Sequence, residues 1–150
     1  CISRDYLTAF TLAYDFCDMF IIDLTEDPST EETNALLEAR ISEQEYKPII
    51  IKLPDYINGT ELEGIADFCL MNSIDGIEVR SNSQVRHIHE YTSGRLPIIA
   101  NCHIDTPDQA AESLACGASL VELRTGLLKE GPDIVRKTLK FLKNEKADTI

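Results

Sequence analysis

Apolar residues recur along this chain at two periods that take turns. Short β-branched runs stand at 19–24 (Met-Phe-Ile-Ile-Asp-Leu), 49–53 (Ile-Ile-Ile-Lys-Leu), 76–79 (Gly-Ile-Glu-Val), 98–100 (Ile-Ile-Ala) and 119–123 (Ser-Leu-Val-Glu-Leu). Each has the length of a buried parallel strand, and most are nearly continuously apolar. Between them the apolar positions fall at helical spacing. Leu36, Leu37 and Ile41 form one stripe, Leu62, Ile65, Ala66, Cys69 and Leu70 a second, and Ala110, Ala111, Leu114 and Ala115 a third. A last helix sets Ile134, Val135, Leu139 and Leu142 on one side, with Lys137, Lys140 and Lys143 outside.

The punctuation agrees. Thr106-Pro107 reads as a helix cap followed by proline in the first turn, Gly131-Pro132 does the same later, and Cys116-Gly117 ends a helix with a residue suited to a left-handed cap. The order is α-β-α-β-α-β-α-β-α-β-α, which predicts a single α/β domain over 1–150 with a parallel sheet and right-handed crossovers. Five βα units are too few to close a barrel of eight. Either three units lie upstream, as a chain that opens on Cys1 within a helical pattern suggests, or the five form an open, flavodoxin-like sheet. In both architectures the chemistry belongs at the carboxyl ends of the strands, here 23–30, 52–55, 80–83, 101–106 and 124–125.

Charge narrows the partners. Twenty-six acidic against fourteen basic residues give a net charge of −12, which repels nucleic acid and anionic membrane surfaces. No apolar run approaches the roughly 20 residues of a spanning helix, and the N-terminus lacks the order of a secretion signal. Five cysteines without a CxxC pair read as reduced, mostly buried thiols of a cytoplasmic protein, and a structural zinc is not expected.

Among the strand ends Lys52 carries the most information. A lysine closing an apolar strand needs an anion: either a bound phosphate, carboxylate or reduced cofactor, or a neighbour such as Asp55, Asp23 or Glu78. The turn Arg124-Thr125-Gly126 offers backbone amides to a phosphate, or is simply a βα loop. Cys102 and His103 are adjacent and point to opposite faces of a strand. His87 and His89 lie about 200° apart on a helix, so neither pair converges on one site.

From about Tyr6 to Leu142 the chain resembles the C-terminal half of dihydroorotate dehydrogenase, most nearly its quinone-dependent branch. Leu-Pro-Ile-Ile-Ala (96–100) and Ala-Cys-Gly-Ala-Ser-Leu-Val-Glu-Leu-Arg-Thr-Gly-Leu-Leu-Lys-Glu-Gly-Pro (115–132) carry the likeness, the latter beside the family's aGASLVQLYTGLiyeGP. Pro-Ile-Ile-Ile-Lys-Leu-Pro-Asp (48–55) is similar to PvlvKiaPD, and Ile-Asp-Gly-Ile-Glu-Val (74–79) to the start of IDGiivtNTT. The resemblance implies a partial TIM (β/α)8 barrel whose five parallel units correspond to strands four to eight. It further implies an FMN oxidoreductase that takes dihydroorotate to orotate in pyrimidine synthesis and passes electrons to a quinone. Lys52 matches the flavin-contacting lysine. Thr125 matches the threonine beside the flavin phosphate, with Arg124 in place of a tyrosine.

The departures fall on the same sites. The paired glycines of the phosphate loop are replaced by Cys102 and His103, whose Cβ atoms obstruct close backbone approach. The substrate loop reads Asp23-Leu24-Thr25-Glu26-Asp27-Pro28-Ser29-Thr30. Asp23 and Ser29 stand at the family's asparagine positions, and Asp27 precedes the proline where the catalytic base is expected. Asn82 stands one residue from another substrate asparagine, and the family's following glycine-rich GGLSG segment is absent. Two readings follow. One is an FMN-dependent dihydroorotate dehydrogenase domain, inactive as these 150 residues, with a small-molecule substrate. The other is a non-catalytic relative serving as a structural or partner-binding module, its open edge covered by a homo-oligomer or an upstream barrel half.

Overall fold

The computed structural model describes residues 6–23, 37–39 and 46–148. The element order is α1 (Tyr6–Ala13), a 3₁₀ turn (Tyr14–Phe16), β1 (Phe20–Asp23), β2 (Ile49–Lys52), α2 (Gly59–Met71), β3 (Gly76–Val79), α3 (Asn82–Thr92), β4 (Ile98–Ala100), α4 (Pro107–Ala115), β5 (Leu120–Val121), α5 (Arg124–Glu130) and α6 (Asp133–Asp148). Residues 37–39 are helical, and most of the stripe expected around them lies outside the described residues.

All five strands pair in parallel, in the order β1-β2-β3-β4-β5. A flavodoxin-like sheet reverses its winding direction after the first strand. This one never does, so the open doubly-wound alternative is set aside in favour of a section of barrel wall.

Register sorts the strand residues into two faces. Ile22, Ile51 and Ile77 fall in one row and join Val79, Ile98 and Ala100 in a cluster with Leu62, Ala66 and Cys69 of α2 and Val85 and Ile88 of α3. This is the helix-facing side. Burial within it pushes the Cys69 thiol up to about 12. The other face carries Ile21, Ile50 and Gly76 in a lower row, then Asp23, Lys52 and Glu78. Gly76 is required there by space: a Cβ would come within 2.9 Å of the Pro97 carbonyl and 3.1 Å of Ile50 Cδ1.

Local chemistry explains the element ends. Asn58 and Thr106 form reciprocal capping boxes with Glu61 and Gln109, and Pro107 takes the first turn of α4. Gly117, at φ +110, follows the cap of the same helix. At the amino end of the sheet Phe10 and Tyr14 pack on Phe20, with ring centroids 4.5 and 6.1 Å away. Buried Lys47 donates to the carbonyls of Tyr14 and Cys17, which ties the segment before β1 to β2.

Two expectations from the pattern are corrected. The turn at 124–126 is already helix: α5 starts at Arg124, directly after β5. Among the described side chains of α6 the buried positions are Ile134 and Thr138, whereas Val135 and Leu139 are 43% and 55% exposed. The apolar stripe is real, but the described chain covers only one flank of it.

Candidate functional site

The carboxyl ends of β1, β2 and β3 bring Asp23, Lys52 and Glu78 side by side on the inner face. Lys52 Nζ sits 2.7 Å from Asp23 Oδ2, with the two side chains 25% and 37% exposed. A strand of isoleucines thus ends in an ammonium whose anion comes from the neighbouring strand, one of the partners its sequence setting allows. Glu78 is buried and accepts a hydrogen bond from Asn101 Nδ2 at 3.0 Å. Asn101 is held in turn by its N–H on the Val79 carbonyl.

Glu122 extends the row past β5, its N–H donating to the Ala100 carbonyl. Desolvation, and then the nearby charge of Glu78, push its carboxyl above the usual range; Arg124, Lys52 and Arg80 offset part of that rise. Arg80 lies 2.9 Å from Asp55, an electrostatic contact without the alignment of a hydrogen bond. Among the described residues the mouth therefore sets Asp23, Glu78 and Glu122 around Lys52, which is already paired, with Arg80 and Arg124 close to Glu122. Glu78 and Asn101 were not singled out as site residues from sequence. Strand alternation puts Glu78 on the inner face, a signal as readable as that of Lys52.

The other expected residues are scattered. Asp27 and Ser29 lie outside the described residues. Asn82 opens α3, where its Oδ1 accepts from Ser113 Oγ at 2.8 Å, committing it to α4. Ser81 caps α3, so Arg80 and Ser81 alone join β3 to that helix and leave no substrate loop. Arg124 and Thr125 form the first turn of α5, and Arg124 lines a groove of about 680 Å³ with Glu122 and Leu127. Cys102 packs against the helix-side core beside Ser113, while His103 is exposed at φ +54. The backbone at His103 thus takes a left-handed conformation that favours glycine, without glycine's clearance. Neither side chain plugs the mouth. Among the described residues no group of three or more His, Cys, Asp or Glu is placed to hold a metal ion, and no helix is long and apolar enough to cross a membrane.

A family model described as dihydroorotate dehydrogenase matches residues 73–145. The chain is dihydroorotate dehydrogenase-like. It is 27% identical to a dihydroorotate dehydrogenase (quinone) of Thermosynechococcus vestitus, over 93% of this chain and 50% of that protein. A ligand-free dihydroorotate dehydrogenase structure from Eimeria tenella superposes with a TM-score of 0.83 at 19% identity, covering 96% of this chain and 56% of the other. The U32 peptidase Mk0906 also superposes, at 0.72 and 17% identity, over 93% of this chain and 62% of its own. A fold shared with a peptidase leaves the chemistry to the site. The chain spans about half the length of the curated relatives it matches. The alignment to the first runs over 185 positions, more than the chain contains, so that relative carries segments absent here.

FMN, the cofactor implied by the family, does not fit these residues. Its phosphate and its reduced ring are anionic, yet the lysine that would face it is bound to Asp23. Glu78 and Glu122 stand beside that pair and Arg80 is engaged by Asp55, so an anion placed against Lys52 meets carboxylates with the lysine's charge already matched.

Proposed function

We propose that this dihydroorotate dehydrogenase-like chain is a non-catalytic scaffold, corresponding to barrel strands four to eight, that binds a partner and carries out no flavin chemistry. One observation carries the reading: the Lys52 ammonium is neutralised by Asp23 within the fold. The short connection after β3 and the placement of Asn82 toward α4 support it. The test is the visible spectrum of the freshly purified chain, followed by thermal melts with FMN and with dihydroorotate. The scaffold reading expects a colourless protein whose Tm neither compound moves.

A second reading, an FMN oxidoreductase acting on dihydroorotate, draws on Lys52 facing inward at a strand end and on Thr125 in the first turn of α5. In it Lys52, Arg124 and Thr125 hold the cofactor, Asp23, Ser29 and Asn82 the substrate, and Asp27 is the base. A yellow protein whose flavin is bleached by dihydroorotate would replace the first reading with this one.

A further inference from the structure

A lysine closing a run of isoleucines needs an anion, and any anion of the right size meets that need. The fold meets it with a side chain. Asp23 and Lys52 are Cα partners at the last pair of β1 and β2, and the carboxylate reaches Lys52 Nζ at 2.7 Å. Strand register holds both backbones, so this carboxylate competes for the lysine at the high effective concentration of a tethered group. The pair is not sealed. Both side chains keep part of their surface exposed at the mouth, and an ammonium has three protons to donate.

The other charges of the mouth are answered separately. Glu78, across from Lys52 on β3, is buried and accepts from Asn101 Nδ2 at 3.0 Å. Arg80 stands 2.9 Å from Asp55, and Glu122 has the charge of Arg124 beside it. Taking away the Asp23 carboxylate therefore leaves Lys52 as the cation that has lost its anion. An incoming carboxylate restores the charge balance of the native mouth.

We propose that Asp23 is the built-in occupant of a carboxylate site: Lys52, at the carboxyl ends of β1 and β2, binds a small carboxylate ligand once the Asp23 carboxylate is withdrawn. This rests on the scaffold reading and deepens it, because the ion pair that turns FMN away becomes a self-occupied site with a defined ligand class. In the native chain a ligand has to displace Asp23, and its apparent affinity falls by the fraction of molecules in which Lys52 is free. An Asp23→Ala change vacates the space of one carboxylate group, so formate is the matching probe.

Chemical rescue tests this. Thermal melts of wild type, Asp23→Ala and Asp23→Ala/Lys52→Met are compared in sodium formate and in sodium chloride at equal ionic strength, which removes general screening. Circular dichroism confirms folding. Formate is expected to raise the Tm of Asp23→Ala saturably above its value in chloride, and to leave wild type and the double variant unmoved. Half-saturation is expected at about 1 mM or above, the ceiling for so small a ligand. If Asp23→Ala does not fold, Asp23→Ser carries the same comparison. A folded Asp23→Ala or Asp23→Ser on which formate and chloride act alike overturns the proposal, as does a rescue that survives Lys52→Met. A colourless wild type without rescue in the variants overturns it and leaves the scaffold reading standing. Rescue in a chain that purifies yellow supports it and removes that reading.

Discussion

Replacing Lys52 by methionine keeps the apolar stem and deletes the one cation in the Asp23–Lys52–Glu78 row. The contact it removes is 2.7 Å long, between side chains 25% and 37% exposed. An exposed pair contributes about 0–1 kcal/mol, and breaking a buried one costs about 3–5 kcal/mol. A pair at intermediate exposure, with a buried carboxylate in the adjacent strand and water screening its outer side, belongs between these limits. Lys52→Met is therefore expected to cost about 1–3 kcal/mol. Asp23→Asn tests the partner, and the double variant isolates the pair, for which a coupling of about 1 kcal/mol is expected. Urea unfolding at pH 7 reads all four proteins, with unchanged m-values showing that the shift is one of stability. A coupling below about 0.3 kcal/mol, within the scatter of independent sites, would show that Asp23 does not occupy the lysine. The obstacle to an anionic ligand would then be gone.

Three further substitutions test the surrounding structure. Glu122→Gln puts the family's glutamine at the head of α5. Because the folded state raises the Glu122 pKa, its ionisation subtracts stability as pH climbs above the usual carboxylate range. The variant is expected to be at least as stable as wild type at pH 7, with the difference vanishing below pH of about 4, where both states are protonated; a loss at pH 7 would contradict this. Gly76→Ala forces a methyl against the Pro97 carbonyl and Ile50 and is expected to cost about 1–3 kcal/mol in denaturant unfolding. Thr138→Val removes a buried hydroxyl that has no hydrogen-bond partner among the described residues, and should raise stability by about 1 kcal/mol in the same assay.

Hydrophobic pattern locates β3 and β4 residue for residue, since both are short runs bounded by turn residues. β5 is shorter than its apolar run, because Leu123 already stands at the cap of α5. That helix, seven residues long with Gly126 in its first turn, offers too little periodicity to be seen in advance. The outer stripe of α6 shows a different limit. Val135 and Leu139 are apolar and helically spaced, and whether they are buried depends on a neighbour that periodicity does not reveal.

The site divides in the same way. Lys52 stands out because a charge at the end of an isoleucine run is locally anomalous. Its choice of Asp23, 29 residues earlier, over Asp55 or Glu78 depends on strand register and is a long-range fact. Family likeness supplies the barrel and the lysine. Only the paired strands show that this lysine has been answered from within.

Calorimetric titration of FMN into the purified wild-type chain at pH 7 tests the central claim most directly. With Lys52 neutralised by Asp23 and flanked by Glu78 and Glu122, no saturable heat is expected at micromolar to submillimolar FMN. A 1:1 isotherm that Lys52→Ala abolishes while the fold survives would contradict the account.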